Sequence, residues 1–168
     1  IKAGLEMAYL ALKAKDQILF PSDFTDGGER QAINGLIWMG DLDYMKSQIR
    51  SRIEDGFLVL KMKIGALNLQ NELKVLRDIR TDYSPAELQL RVDANGAFTP
   101  KEAFSVLSEL DKLQIHSIEQ PIKAGQIEAM AELCKHSSMP IALDEELIGV
   151  FGGTEKERLL DVIKPRYI

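Results

Sequence analysis

Residues 58–65 form a mostly apolar run that carries two lysines and stops at a glycine, Leu58-Val59-Leu60-Lys61-Met62-Lys63-Ile64-Gly65. In a β-strand, side chains two residues apart point to the same side, so Lys61 and Lys63 would project together while Leu60 and Met62 pack on the opposite face. Two neighbouring ammonium groups repel each other. This repulsion is expected to lower the pKa of one or both lysines toward neutrality, as a proton-abstracting lysine requires. The alternative is a solvated edge strand whose lysines discourage aggregation.

Strand and helix patterns alternate on both sides of this stretch. Apolar runs predict strands at residues 33–40, 58–64, 88–93, 116–119 and 140–144, and a sixth strand that begins at residue 167. Helices are predicted between them, at residues 41–54, 68–79, 100–113, 127–135 and 154–162. Asn68 is a predicted N-cap, and Thr99 and Thr154 each open a predicted capping box.

This βα repeat is typical of an α/β protein with a parallel sheet, which either closes into a (β/α)₈ barrel or stays open and doubly wound. The sequence has neither the glycine pattern of a dinucleotide-binding turn nor a Walker-type phosphate loop. We expect residues 1–33 to form a helix and a loop, and residues 34–168 to form a partial barrel of about six strands. The chain begins in a helical pattern without methionine and stops at the start of a strand, so we expect both ends to be cuts.

Composition restricts the class of protein. The 168 residues carry a net charge of −5, which argues against nucleic-acid binding, because such domains usually present a basic face. Cys134 is the single cysteine, so no internal disulfide can form, and it is predicted to be a core residue. The sequence shows neither a signal peptide nor an apolar run of the roughly 20 residues that a membrane helix needs. These features predict a cytoplasmic protein. They say nothing about oligomeric state.

Four successive predicted strands carry an ionisable residue at or near their carboxyl ends: Lys63, Asp93, Glu119 and Asp144. The carboxyl ends of barrel strands converge on one mouth, where the active site of such enzymes lies. Three carboxylates gathered there need a cation between them. Oxygen ligands without histidine or cysteine favour Mg²⁺ first and Mn²⁺ second. The alternative is that each acid caps the helix that follows it.

The chemistry that this set predicts is removal of a proton from the carbon next to a carboxylate. Lysine would be the base, and a metal bound to the carboxylate of a small-molecule substrate would stabilise the negative charge that develops.

Four motifs resemble the Lys-x-Lys and metal-ligand motifs of the enolase superfamily, in its muconate-lactonizing subgroup: Lys61-Met62-Lys63, Asp93-Ala94-Asn95, Ile118-Glu119-Gln120-Pro121 and Asp144-Glu145-Glu146. Residues 34–40 and 59–65 resemble bacterial members of the o-succinylbenzoate synthase family. The resemblance implies that Lys63 is the acid/base catalyst and that Lys61 tunes it beside the substrate carboxylate. It further implies that Mg²⁺ binds to Asp93, Glu119 and Asp144 and that Asn95 supports the first ligand. Glu145 and Glu146 are interpreted as polar loop residues, with Glu145 also a candidate to lie behind the ligands.

The family reaction is the dehydration of 2-succinyl-6-hydroxy-2,4-cyclohexadiene-1-carboxylate to o-succinylbenzoate in menaquinone biosynthesis. Family members also have an N-terminal capping domain and a second catalytic lysine on the sixth strand. We expect that lysine just past Ile168, and we reject Lys164, which precedes the sixth strand. Without that lysine and the capping domain, residues 1–168 alone are expected to be inactive. Two alternatives stay open: an N-acylamino acid racemase or dipeptide epimerase of the same superfamily, and a non-catalytic parallel-sheet domain.

Overall fold

The computed structural model describes residues 1–14 and 18–168. It divides into two compact units, Ile1–Ile33 and Asn34–Ile168. The first unit contains helix α1 (Lys2–Lys13), which has no buried residue, and a turn in which the main chain and side chains of Ser22 and Thr25 bond to each other. Residues 15–17, part of the predicted helix and loop, lie outside the described residues.

The second unit is a parallel sheet whose strands alternate with helices. The strands are β1 (Gly35–Ile37), β2 (Val59–Lys63), β3 (Gln89–Asp93), β4 (Ser117–Glu119) and β5 (Ile141–Ala142). The helices are α2 (Leu42–Glu54), α3 (Leu69–Asp82), α4 (Pro100–Lys112), α5 (Ile127–His136) and α6 (Gly153–Ile163), and a short 3-10 helix spans Glu145–Leu147. Neighbouring strands are all parallel and follow the order β1-β2-β3-β4-β5.

This strand order decides between the two predicted architectures. A doubly wound sheet reverses its strand order at one point, whereas a barrel adds each strand beside the last. The order here is that of a barrel. Because β2 lies between β1 and β3, the alternative of an edge strand is wrong. Tyr167 forms a parallel bridge with Ala142, as expected for the start of a sixth strand.

An apolar row fixes the register of the sheet. It runs across all five strands at equivalent positions and is almost fully buried: Ile37, Met62, Val92, Ile118 and Ile141. Its side chains join the core between the sheet and the helices. A shift of one residue in any strand would move its apolar side chains to the opposite face, so burial of this row holds every strand in place.

Side-chain caps mark the starts of α2, α3 and α4, but not the start of α6. Asp41 and Asn68 accept hydrogen bonds from the first turns of α2 and α3. Thr99 forms the predicted capping box with Glu102 at the start of α4. The capping box predicted at Thr154 is wrong, because α6 begins one residue earlier and its N-cap is Gly152, which has no side chain to cap with.

No helix in the described part of the chain is both long enough and apolar enough to cross a membrane.

Candidate active site

A charged row follows the apolar row at the carboxyl end of the sheet. Lys63 pairs in register with Asp93, and Asp93 pairs with Glu119. These three side chains therefore lie beside one another on the face opposite the core. Lys61, two residues before Lys63, is on the same face. The structure brings together these four predicted site residues from three strands.

The four side chains form a network of ion pairs. Lys63 Nζ lies 3.1 Å from Asp93 Oδ2. Lys61 Nζ lies 2.6 Å from Glu119 Oε2 and 3.4 Å from Asp93 Oδ2. The Asp93 side chain is only 4% exposed, whereas the two lysines and Glu119 keep about a fifth to a quarter of their surface. Two ammonium groups thus balance two carboxylates, and the buried Asp93 is shared by both lysines.

The expected lowering of a lysine pKa is wrong for Lys61. Burial by itself would lower the pKa of Lys61, but the hydrogen bond to Glu119 and the charges of Asp93 and Glu119 raise it above the usual 10.5. The prediction considered only the second lysine as a neighbour. Asp93 on β3 and Glu119 on β4 place carboxylate oxygens 3.4 Å and 2.6 Å from Lys61 Nζ, and opposite charges favour the ammonium form.

Asn95 connects the lysines to the end of β5. Its backbone has a positive φ of 44°, and its amide N–H donates to Asp93 Oδ1 at 3.1 Å. Its side-chain oxygen accepts a hydrogen bond from Lys63 Nζ, and Asn95 Nδ2 donates to Glu145 Oε1 at 2.9 Å. The other carboxylate oxygen, Glu145 Oε2, is buried without a hydrogen-bond partner among the described residues.

Asp144 is separate from this network. It follows β5 but its side chain is exposed, and within residues 1–14 and 18–168 no three His, Cys, Asp or Glu side chains are grouped so that they could hold a metal ion. The donors are nevertheless of the type that suits Mg²⁺, since all are oxygens. The unpartnered Glu145 oxygen also adds negative charge beside them. The residues fit a hard divalent cation in chemistry, although the third predicted ligand is not gathered with the other two.

The helix-capping interpretation of the strand-end acids does not hold. The N-caps of the α-helices that follow β3, β4 and β5 are Thr99, Gln126 and Gly152. Asp144 precedes the short 3-10 helix but makes no side-chain cap there. Asp93 and Glu119 instead face the lysines. These acids therefore have no role as helix caps.

The loops behind the site contain buried carboxylates that the sequence did not reveal. Glu72, on α3 and 1% exposed, accepts hydrogen bonds from Gly65 N and Leu67 N and so holds the loop after β2. Glu146, interpreted from sequence as a polar loop residue, is 7% exposed. No spacing pattern distinguishes Glu72 from the surface acids of a helix. For Glu146, the sequence offered no indication of burial beyond its place in the loop after β5.

Successive loops at this end of the sheet also touch one another. A Cβ placed on Gly65, after β2, would lie 2.5 Å from the Cβ of Ala97, after β3. A Cβ on Gly96 would lie 2.9 Å from the Cα of Lys123, after β4. Both glycines have positive φ. Glycine is required at both positions by backbone conformation and by space.

Two residues that the sequence excluded from the site lie elsewhere. Lys164 ends α6 in the left-handed conformation and borders a cleft with Cys134 and Pro140, at the amino end of β5. Burial raises the pKa of the Cys134 thiol to about 11. A thiol with this pKa stays protonated at neutral pH, so Cys134 is not an activated nucleophile.

Comparison with known proteins agrees with this architecture. Residues 44–165 match the family model described as enolase C-terminal domain-like. The chain is 47% identical over its whole length to o-succinylbenzoate synthase of Desulfotalea psychrophila. It is 32% identical to L-Ala-D/L-Glu epimerase of Francisella tularensis subsp. novicida, over 95% of the chain and 44% of that protein. The chain spans 46% of the length of the synthase, about half.

Two solved structures of related proteins share the fold of this chain. The crystal structure of MenC from Desulfotalea psychrophila has a TM-score of 0.86 at 46% identity, over 95% of this chain and 44% of that one. The o-succinylbenzoate synthase of Thermosynechococcus elongatus, complexed with Mg in its active site, has a TM-score of 0.67 at 26% identity, over 79% of this chain and 41% of that one. From the family match and these similarities, the chain belongs to the enolase C-terminal domain-like family of the enolase superfamily.

Proposed function

We propose that this chain is the part of an o-succinylbenzoate synthase that carries its first catalytic lysine. The reaction is the Mg²⁺-dependent dehydration of 2-succinyl-6-hydroxy-2,4-cyclohexadiene-1-carboxylate to o-succinylbenzoate, a step of menaquinone biosynthesis. The observation that carries this proposal is the charged row in which Lys63 lies beside the buried Asp93 and Asp93 lies beside Glu119. The 47% identity to a named synthase supports the choice of reaction.

In this proposal Lys63 removes the proton from the carbon next to the substrate carboxylate. Its Nζ is held from two directions, by Asp93 Oδ2 at 3.1 Å and by the side-chain oxygen of Asn95. A base must be fixed within hydrogen-bond reach of the proton that it takes. These two contacts limit the positions that the amine can occupy. The protonated Lys63 would then give this proton to the departing hydroxyl, which leaves as water as the ring becomes aromatic.

Lys61 is proposed to keep a positive charge beside the substrate carboxylate. Its raised pKa suits this role, since a group that stays protonated can attract the carboxylate without competing for the substrate proton. The two lysines of one strand would thus differ in function, with Lys63 moving a proton and Lys61 holding charge.

Asp93, Glu119 and Asp144 are proposed to hold the Mg²⁺, with Glu145 behind them. A divalent cation there supplies positive charge next to the substrate carboxylate, where negative charge accumulates as the proton leaves. The buried position of Asp93 supports this role, because a desolvated carboxylate interacts more strongly with a cation than an exposed one does.

A racemase or epimerase reaction is the second candidate. It is favoured by the 32% identity to an L-Ala-D/L-Glu epimerase over 95% of the chain. The same lysine would remove a proton next to a carboxylate. The two candidates differ in outcome, since the synthase loses water whereas a racemase returns a proton to the same carbon.

The decisive experiment is turnover of the cyclohexadiene substrate, followed as loss of its absorbance, with and without Mg²⁺ after treatment with a chelator. We would test the protein and also a chimera in which residues 1–168 replace the aligned segment of the Desulfotalea psychrophila synthase. Rapid Mg²⁺-dependent loss by the chimera is the expected result.

A folded chimera that binds Mn²⁺ but does not turn over this substrate would contradict the synthase proposal. The racemase candidate would then be tested by exchange of the α-hydrogen of dipeptides and N-succinylamino acids with solvent deuterium. The unmodified Desulfotalea psychrophila enzyme is the positive control for the assay.

A further inference from the structure

Gln120, directly after Glu119, has a fully buried side chain that uses every hydrogen bond its amide can make. Its exposure is 0%. Gln120 Oε1 accepts from the backbone N–H groups of Asp144, at 3.1 Å, and Glu146, at 3.3 Å. Gln120 Nε2 donates to the carbonyl of Ile122, at 3.0 Å, and to Glu146 Oε2, at 3.2 Å. A glutamine amide has two donor hydrogens and two acceptor lone pairs, so its capacity is filled.

The partners of Gln120 fix the orientation of its amide. With the oxygen and nitrogen exchanged, the NH₂ group would face two N–H donors, and the oxygen would face a carbonyl and a carboxylate. All four contacts would then be unfavourable. Glutamate in place of glutamine would bring an oxygen to the position of Nε2, so residue 120 must provide one donor group and one acceptor group.

The backbone of Gln120 extends the same connection to the neighbouring strands. Its N–H donates to the carbonyl of Ala142 at 2.9 Å, and its carbonyl accepts from Gly96 N at 2.7 Å. Its φ is positive, at 41°, which for a non-glycine residue is uncommon and points to a functional or structural constraint. A single residue therefore ties the end of β4 to the ends of β3 and β5.

Glu146 anchors this arrangement from the other side. Its Oε2 accepts from Gln120, and its Oε1 accepts from Gly125 N at 2.9 Å. The Gln120 and Glu146 side chains thus hold each other and, between them, the backbone of four loop positions: Ile122, Gly125, Asp144 and Glu146. Asp144 is one of these positions, and its side chain stays exposed.

We propose that Gln120 is a positioning residue that fixes the backbone at Asp144, and through it the affinity of the site for a divalent cation. This inference rests on the proposed function, because it takes Asp144 as a metal ligand. Asp144 lies in the loop after β5 rather than within a strand, so the hydrogen-bond ladder of the sheet does not hold it. Instead, the Gln120 side chain holds the Asp144 backbone by accepting a hydrogen bond from its N–H.

The test compares wild type with two variants. Gln120→Met has a similar size but cannot form the side-chain hydrogen bonds, and Gln120→Glu keeps the acceptor oxygen but replaces the donor group by an oxygen. Glu72→Gln is the matched control, since Glu72 is also a buried side chain that holds a strand-end loop but does not contact Asp144. The first measurement is hydrogen exchange at the Asp144 amide in the presence of a chelator. The second is Mn²⁺ affinity, measured by electron paramagnetic resonance.

We expect exchange at the Asp144 amide to be about 10-fold faster in both Gln120 variants, which corresponds to the loss of one buried hydrogen bond. Mn²⁺ affinity should fall by about 10- to 100-fold, the usual effect of losing a residue that orients a ligand. Glu72→Gln should leave both values within about 3-fold of wild type, a range well below that effect. Unchanged exchange at Asp144 in a folded Gln120 variant would overturn the inference, as would equal losses of Mn²⁺ affinity in Gln120→Met and Glu72→Gln.

The two readouts separate this inference from the proposed function. Wild-type protein that binds no Mn²⁺ would contradict the proposed metal site and with it the effect of Gln120 on affinity. Exchange at Asp144 in chelator would still decide whether Gln120 fixes that backbone.

Discussion

Lys61 and Glu119 are 58 residues apart in the chain, yet Lys61 Nζ donates a 2.6 Å hydrogen bond to Glu119 Oε2. The two residues are on β2 and β4, with β3 between them. Asp93 on β3 lies 3.4 Å from the same ammonium. One lysine therefore spans three strands, and the register of the sheet is sufficient to bring these charges together.

We expect this pair to be coupled in stability. A double-mutant cycle with Lys61→Met and Glu119→Gln, by chemical denaturation in chelator, should give a coupling of about 1–3 kcal/mol, because the hydrogen bond is charge-assisted and partly buried. The pKa of Lys61 is raised in the folded protein, so this stabilisation is complete below the ordinary value of 10.5 and is lost as pH rises through the higher folded value. The exposed pair Lys74 and Asp78 is the control and should show weaker coupling. Equal coupling in the two pairs would contradict the prediction.

Lys63→Ala should reduce turnover by about 10²- to 10⁴-fold, the usual contribution of a positioned acid/base group. Lys63→Arg should be similarly impaired, because a guanidinium keeps the charge but does not release its proton. Mn²⁺ binding should survive in both variants. Lys74→Ala, which removes an exposed lysine of α3, controls for loss of a charge. Retained turnover in Lys63→Ala would rule out Lys63 as the base.

The three proposed metal ligands can be tested separately through Mn²⁺ affinity. Asp93→Asn, Glu119→Gln and Asp144→Asn should each weaken binding by at least about 10-fold, whereas Asp161→Asn, on the exposed face of α6, should not. Asp144 is the informative case because its side chain is exposed and apart from the other two. Wild-type affinity in Asp144→Asn would remove it from the set of ligands.

Gly65→Ala should destabilise the protein more than Gly56→Ala. Both glycines have nearly the same positive φ, 87° and 86°, but only Gly65 lacks room for a Cβ, which would lie 2.5 Å from that of Ala97. The backbone cost of about 1–2 kcal/mol is common to both variants. The contact at Gly65 should add about 1–3 kcal/mol to the loss in free energy of unfolding. Equal losses in the two variants would show that the loop after β2 can move away.

The two threonines predicted to cap helices should behave differently. Thr99→Ala removes an observed capping box and should cost about 1 kcal/mol in the free energy of unfolding. Thr154→Ala, inside the exposed first turn of α6, should change it by less than about 0.5 kcal/mol. Urea denaturation of both variants measures the difference, and a loss at Thr154 as large as at Thr99 would favour the sequence-based assignment.

The strands could be predicted because their signals are local, whereas the periodicity alone left the order of the strands in the sheet open. Apolar runs that end at glycine, proline or an acid give the strands, and alternation within β2 places Lys61 and Lys63 on one side of the sheet. Asp93 and Glu119 could be assigned to the same region because parallel strands share a carboxyl end.

What the sequence did not give depends on neighbours that are distant in the chain. The pKa of Lys61 moves in the opposite direction to the prediction because the carboxylates on β3 and β4 outweigh the effect of burial. Gln120 and Glu146 look like ordinary polar residues until the folded loops enclose them. The N-cap of α6 is Gly152, and no capping side chain marks its position.

The loops at the carboxyl end of the sheet are joined from one to the next, through Gly65 and Ala97, Gly96 and Lys123, and Gly125 and Glu146. A change of length in any of these loops would therefore disturb its neighbour. Residues 148–152 differ, because Gly149 has open space around it and Ile148 and Phe151 are exposed. Insertions at residues 148–152 should therefore be tolerated far more easily than insertions in the joined loops. Relatives can accordingly diverge in length at this segment without losing the site.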